Sequence, residues 1–221
     1  MKKQRVAIAT PIHRQPHPRM DASRKCVMAT SRHRVTYLEL RNESMISRAR
    51  NTLLAQFLTT DNDWLYFWDD DIETSNIGGP DGNLIDMLLS HGKEFVGGLY
   101  STRGLGGHCA ARAIEGVPAT GRLWEIEYLA GGSIMVSREV IDAMCRAFHE
   151  TQYTPRTNEG TAGQAWALFQ PFTAEGEYLS EDFAFCERWR SEGGRVYADL
   201  DVRLWHWGEA PFGLADPRGN A

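Results

Sequence analysis

The chain has 221 residues, 42% of them hydrophobic, and carries a net charge of -5 from 24 basic and 29 acidic side chains. That length suits one large domain with a substantial core, and that charge gives no general electrostatic drive toward nucleic acid or anionic lipid. The four cysteines, Cys26, Cys109, Cys145 and Cys186, include no C-x-x-C pair, which argues against a zinc knuckle and for reduced thiols in a cytoplasmic protein. No apolar run reaches the length of a membrane span, and no signal-peptide core follows Met1.

The first element is Arg5 to Ile12, RVAIATPI, a β-branched run stopped by Pro11 that reads as a buried strand. Thr10 and Pro11 stand at its end, followed by the loop His13 to Pro18. Asp21 is placed to cap a helix running to about Thr30. The basic residues here, Arg14, Arg19, Arg24, Lys25, Arg32 and Arg34, could meet phosphate but more commonly such a cluster is a solvated face. Val35 to Leu40 is a second strand. Ser44 is placed to cap a helix from Met45 to about Thr59, with Ile46, Ala49, Leu53 and Phe57 on its buried face. Arg48 and Asn51 share a side of it and Arg50 points elsewhere. One polar side chain of this helix is expected to reach a nucleotide or brace the acids that follow.

Those acids are Asp69, Asp70 and Asp71, directly after the apolar run WLYFW. Such a run suits a strand buried on both faces, and the C-terminal edge of an open α/β sheet is where ligands bind. Adjacent carboxylates repel, and a divalent cation with a taste for oxygen, Mg²⁺ or Mn²⁺, relieves the repulsion. A solvated acidic turn accounts for the three residues equally well.

A loop from Asn76 to Asn83, a short helix Leu84 to Ser90 and a strand Phe95 to Leu99 come next, the paired Gly97 and Gly98 marking close backbone approach. Tyr100 to His108 is a Gly-rich loop without P-loop spacing. Leu123 to Leu129 and Ile134 to Val136 read as strands around Gly131-Gly132-Ser133, with Ser137 capping a helix from Arg138 to about His149. Thr151 to Gln164 is long and polar, as a lid or binding loop would be. Trp166, Phe169 and Phe172 after it are aromatics of the kind that stack on sugars or bases, although each alone reads more readily as core. Ser180 opens a helix with Glu181 and Asp182 in its first turn; Phe183, Cys186 and Trp189 are its buried stripe and Gly193 its stop. Arg195 to Ala198 and Val202 to Trp207 are the last strands, with His206 near the end. An irregular tail occupies 209–221, leaving 1–208 as a single domain.

Four pieces in this order, RVAIATPI, SRARNTLLAQFLTTDNDWLYFWDDDI, FVGGLYSTR with LAGGSIMVSREV, and LSEDFAFCERWRSEGG with VRLWHWG, resemble the small glycosyltransferases of the GT-A fold over most of the chain. The resemblance implies an α/β, Rossmann-like sandwich: a central, mostly parallel sheet flanked by helices, with a smaller antiparallel sheet on the acceptor side. It implies a metal-dependent transfer from a nucleotide-diphosphate sugar, commonly a UDP-sugar, to an acceptor hydroxyl on a glycan, protein, lipid or modified nucleic-acid base.

The resemblance also assigns residues. Asp69 and Asp71 match the ends of a D-x-D motif that holds Mn²⁺ or Mg²⁺ and the ribose, with Asp70 making the run D-D-D. His206 matches a strand-end histidine that adds a metal ligand. Asp182, with Glu181 beside it, matches the carboxylate facing the acceptor. The Gly131-Gly132 turn gives sugar access to the backbone, Tyr100 and Arg103 face donor sugar or phosphate, and Thr10 and Pro11 border the base. Sugar nucleotidyltransferases and non-catalytic sugar-binding modules are the competing classes. The absence of glycine from the His13 to Pro18 stretch weighs against the first, and the joint presence of Asp69, Asp71, Asp182 and His206 against the second.

Overall fold

Alternation within the first strands dictates the layering. In the computed structural model, which describes residues 2–13, 15–103, 108–155, 163–208 and 211–213, β1 (Arg5–Ile12) leads through α1 (Pro18–Thr30), β2 (Arg34–Arg41) and α2 (Ile46–Leu58) to β3 (Trp64–Trp68). A short β4 (Ile72–Thr74) follows the three aspartates, then α3 (Leu84–Ser90), β5 (Phe95–Gly98), β6 (Ala111–Ala113), β7 (Leu123–Leu129), β8 (Ser133–Ser137) and α4 (Arg138–Ala147). Two small strand pairs come next, β9 (Gln152–Tyr153) with β10 (Ala165–Trp166) and β11 (Phe172–Ala174) with β12 (Glu177–Leu179). The chain closes with α5 (Glu181–Ser191), β13 (Val196–Asp199), β14 (Leu204–Trp207) and β15 (Pro211–Gly213).

Eight strands form one sheet in the order β2-β1-β3-β8-β5-β13-β7-β6. Six run the same way; β7 and β8 are reversed. On one face Ala7, Ala9, Leu65 and Phe67 pack with Leu53 and Phe57 of α2, Ile141 of α4 and Phe185 of α5. On the other, Val6, Ile8, Tyr66 and Trp68 pack with Met20 and Val27 of α1 and with Ile85 and Leu88 of α3. Both faces are covered, which is why WLYFW is apolar throughout. Each fully buried large side chain there contributes about 1.5–3 kcal/mol. A separate antiparallel sheet, β15-β14-β4, stands beyond the end of β3.

The Gly97-Gly98 pair answers to close packing, Gly97 against neighbouring β8 and Gly98 against residues between β13 and β14 and in β14 itself. A Cβ at Gly97 would sit 1.9 Å from the Ser133 carbonyl oxygen of neighbouring β8, and one at Gly98 2.7 Å from Leu204 and Val202. Phe169 is core: it stacks on Phe185 at 4.1 Å and meets Phe67 edge-on at 5.0 Å. Trp166 and Phe172 pack partly buried against the same cluster.

Several local expectations are corrected. His17, not Asp21, caps α1, its ring accepting from the Arg19 N–H; Asp21 instead pairs with Arg24 and Lys25, so part of the basic face is neutralised. Helix α2 begins after Met45 with no side-chain cap, so Ser44 does not cap it, and Ile46 is 39% exposed. The Ser180 side chain does not cap α5; its carbonyl accepts from the Ala184 N–H at 2.8 Å and its hydroxyl donates to Asp182. Ser137 does cap α4, accepting from the Val140 N–H at 3.3 Å. Within the expected irregular tail, Pro211–Gly213 pairs with β14. Residues 104–107 of the Gly-rich loop, 156–162 of the expected lid, Met1, Arg14, and the tail residues 209–210 and 214–221 lie outside the described residues.

Candidate functional site

The C-terminal end of β3 carries the acidic turn to the sheet edge. Reversed β8 pairs with β3 from Trp68↔Ser133 to Trp64↔Ser137, so the turn that enters β8 meets the turn that leaves β3. The Asp69 N–H donates to the Gly132 carbonyl at 3.2 Å. Tyr100, just past the end of β5, is buried, and its hydroxyl accepts from the Gly132 N–H at 2.9 Å.

Beneath this edge lies Arg50 of α2, its side chain 3% exposed. Nη1 donates to the Gly131 carbonyl at 2.8 Å and Nη2 to Asp69 Oδ2 at 3.0 Å. Its Nε stands 3.7 Å from Glu181 Oε1 and has no hydrogen-bond partner among the described residues. The guanidinium carbon lies 5.6 and 6.0 Å from the Phe67 and Phe169 ring centres, within cation–π range. Asp69 Oδ1 is also buried and without a partner there.

The first turn of α5 reaches the same point. Asp182 Oδ2 accepts from the Gly131 N–H at 3.1 Å, and Oδ1 accepts from the Phe183 N–H at 2.9 Å and from the Ser180 hydroxyl. The carboxyl of Glu181 is pushed above its ordinary value, first by burial and then by Asp182, with Arg50 opposing. Burial likewise pushes Asp70 up, reinforced by the charge of Asp69. The Asp70 carbonyl accepts from the His17 N–H at 2.7 Å, which ties the turn to the start of α1.

Asp71 faces the other way. Its Oδ2 is paired with Arg103 and lies 3.5 Å from His206 Nε2. The His206 Nδ1 is 2.9 Å from the Ser101 carbonyl, an acceptor, so Nδ1 carries the proton. Nε2 is then an acceptor, and it takes the Arg103 Nε–H at 3.0 Å. Burial lowers the His206 pKa, favouring the neutral imidazole, with the Ser101 carbonyl opposing. The Trp207 N–H fastens the turn by donating to the Asp71 carbonyl at 2.8 Å, and its ring stacks on His17 at 4.4 Å.

The structure therefore brings Asp69, Asp71, Tyr100, Gly131, Gly132, Glu181, Asp182, Arg103 and His206 to one sheet edge. Among the described residues no three His, Cys, Asp or Glu side chains converge on one point as a metal's ligands would; Asp71 and His206 are adjacent, while Asp69 is turned to Arg50. Arg48 and Asn51 do not join the site. Arg48 is exposed and grips Glu43 at 2.6 and 2.7 Å. Asn51 is buried and its Oδ1 accepts from the Phe169 N–H at 2.9 Å. Both border a separate cavity of about 520 Å³ with Tyr153 and Gln170. Thr10 and Pro11 are buried within β1.

The glycine turn has a different cause from the expected one. A Cβ at Gly131 would sit 2.6 Å from the Arg50 guanidinium carbon, and one at Gly132 2.6 Å from the Tyr100 hydroxyl. The protein's own side chains occupy the space read as access for sugar. Arg50 is the residue that sequence reasoning misses, although its signal is present: with Leu53, Leu54 and Phe57 it occupies positions i, i+3, i+4 and i+7 of an inward stripe.

No protein-family model matches this chain, and no curated protein sequence does. Among solved structures, A197 from STIV superposes with a TM-score of 0.59 over 96% of this chain and 95% of its own, at 16% identity. A UDP-glucose pyrophosphorylase complexed with UDP-glucose gives 0.49 at 8% identity, covering 90% of each chain. The nucleoside-diphosphate-sugar pyrophosphorylase from Vibrio cholerae RC9 gives 0.47 at 10% identity, over 95% and 97%. At such identities the A197 likeness speaks for the fold alone, and the two looser ones carry no argument. The class that fold and site define is a layered α/β protein with a cluster of acidic side chains at one edge of its sheet. No helix among the described residues is long and apolar enough to cross a membrane.

Proposed function

We propose that the protein is a metal-dependent glycosyltransferase that moves a sugar from a nucleotide-diphosphate sugar, with UDP favoured, to an acceptor hydroxyl. One observation carries this reading. Carboxylates from two remote segments, Asp69–Asp71 and Glu181–Asp182, meet at one edge of an α/β sheet, joined through Arg50 and Gly131. That edge is the ordinary ligand position of such sheets.

The residues present suit a divalent cation. Asp69 Oδ1 is buried and unpartnered among the described residues, Asp71 Oδ2 lies beside His206 Nε2, and Nε2, unprotonated because Nδ1 is committed to Ser101, has a lone pair that Arg103 would have to yield to a metal. A mixed carboxylate and imidazole set suits Mn²⁺ somewhat better than Mg²⁺. When bound, the cation would supply Lewis-acid charge to the departing diphosphate. Asp71 and His206 are the residues that would hold it, with Asp69 behind them on Arg50.

On the acceptor side, Asp182 is held in one orientation by Gly131, Phe183 and Ser180. In this reading Asp182 takes the acceptor hydroxyl's proton if transfer inverts the sugar centre, and orients acceptor or donor if it does not. Glu181 is its partner, its raised pKa bringing it nearer the pH at which a base is effective. Tyr100 sets the turn at Gly132, and Arg103 is available to diphosphate.

The test is hydrolysis or transfer from a panel of nucleotide sugars with and without Mn²⁺. Mn²⁺-dependent release of nucleoside diphosphate supports the reading. Release of pyrophosphate from a nucleoside triphosphate and sugar phosphate would replace it with nucleotidyl transfer.

A further inference from the structure

Arg50 is a buried cation whose contacts are unlike those of a side chain serving stability alone. Its side chain is 3% exposed, yet its Nε has no hydrogen-bond partner among the described residues. Such a group is costly, and an apolar residue among Phe67 and Phe169 would avoid the cost. What the guanidinium does make is a fixed two-pronged contact. Nη2 takes Asp69 Oδ2 and Nη1 takes the Gly131 carbonyl. The Gly131 N–H in turn is held by Asp182 Oδ2 at 3.1 Å. One residue thus ties the donor-side carboxylate to the acceptor-side carboxylate through the two backbone groups of a single glycine. It also engages one oxygen of Asp69 and leaves the other, Oδ1, unpartnered.

We infer that Arg50 is the positioning residue of this site: by holding Asp69 Oδ2 and the Gly131 carbonyl it fixes Asp69 at the sheet edge and sets its spacing from Asp182. This rests on the reading given under Proposed function. A lysine keeps the charge but lacks the fork that makes both contacts. Gly131→Ala leaves every charge in place and forces the guanidinium aside, since the new Cβ would lie 2.6 Å from its carbon.

The experiment measures Mn²⁺-dependent UDP binding by calorimetry for wild type, R50K, G131A, D69N and R50K/D69N, with near-ultraviolet circular dichroism to confirm folding. Folded R50K and G131A are expected to bind roughly 10- to 100-fold more weakly, the range for partners that orient metal ligands. The R50K loss should shrink in the D69N background, because the two act through one contact. Should R50K not fold, G131A carries the test. Wild-type affinity in folded R50K or G131A, or losses that simply add in the double variant, would overturn the inference while leaving the proposed function standing. A wild-type protein that binds no nucleoside diphosphate with Mn²⁺ would overturn both.

Discussion

The two flanks of the acidic turn are built on opposite plans. On one flank Asp69 meets Arg50, 3% exposed and packed between aromatic rings. On the other Asp71 meets Arg103, 50% exposed, together with a neutral histidine. Both carboxylates have a cation, but a cation without water around it cannot easily be exchanged, whereas a half-exposed one is screened and weakly held. The difference separates a carboxylate braced by a buried cation from one paired with a half-exposed cation. A site of the proposed kind needs both, since a permanent brace keeps geometry and a replaceable partner lets a ligand in.

The sharpest way to break this comparison is at the exchangeable flank. Asp71→Ala is expected to abolish Mn²⁺-dependent UDP binding, because it removes the oxygen beside His206. Calorimetry returning an unchanged affinity would take Asp71 out of the site. Next in size is Asp182→Asn. Donor binding should stay near the wild-type value while transfer slows about 10²- to 10⁴-fold, the scale of a lost general base; single-turnover assays separate the two quantities, and an undiminished rate would remove Asp182 from the chemistry.

Arg103→Ala sharpens the contrast with a smaller change of opposite sign. If Arg103 is a replaceable stand-in, Mn²⁺ alone should bind more tightly, by about fivefold at most, as befits a screened pair. A marked loss of folding in that variant would mean the two flanks are alike after all.

The smallest effect lies far from the turn and distinguishes loss of fold from loss of site. His33 Nδ1 accepts the Gln4 N–H at 3.1 Å, and burial lowers its pKa. The unfolded chain, with its ordinary histidine pKa of about 6.5, therefore takes up a proton at a pH where the folded chain does not. This contribution is intact above that pH and declines as pH falls from there toward the lowered folded value. Urea midpoints of wild type and His33→Gln should converge on acidification; parallel curves would refute the assignment.

Much of this molecule is legible in its sequence. The strands of the sheet and the helices between them follow from period-two and period-3.6 patterns that burial on one or two faces imposes. Asp69, Asp71, Asp182 and His206 all sit where elements begin or end, and such positions gather at one edge of a layered sheet. Arg50 escapes the sequence reading because its charge suggests a solvent face, although its spacing puts it on the inward stripe. Arg48 and Asn51 mislead for the complementary reason: which side of α2 meets the turn is fixed by packing on β1 and β3. The glycines announce a close approach, but a sequence does not say whether the approaching group is ligand or protein. Caps depart from expectation where one residue's preference is outweighed by the neighbouring turn, as where His17 displaces Asp21.

The reversed strand β8 has one more consequence, for folding. It bridges two half-sheets, β2-β1-β3 and β5-β13-β7-β6, although it comes after β3 and β5 in the chain. Asp69 belongs to the first half, Tyr100 to the second, and the seam between them closes only when β8 inserts. Assembly of this edge is thus non-local and of high contact order, and its contacts should be lost with the seam rather than strand by strand.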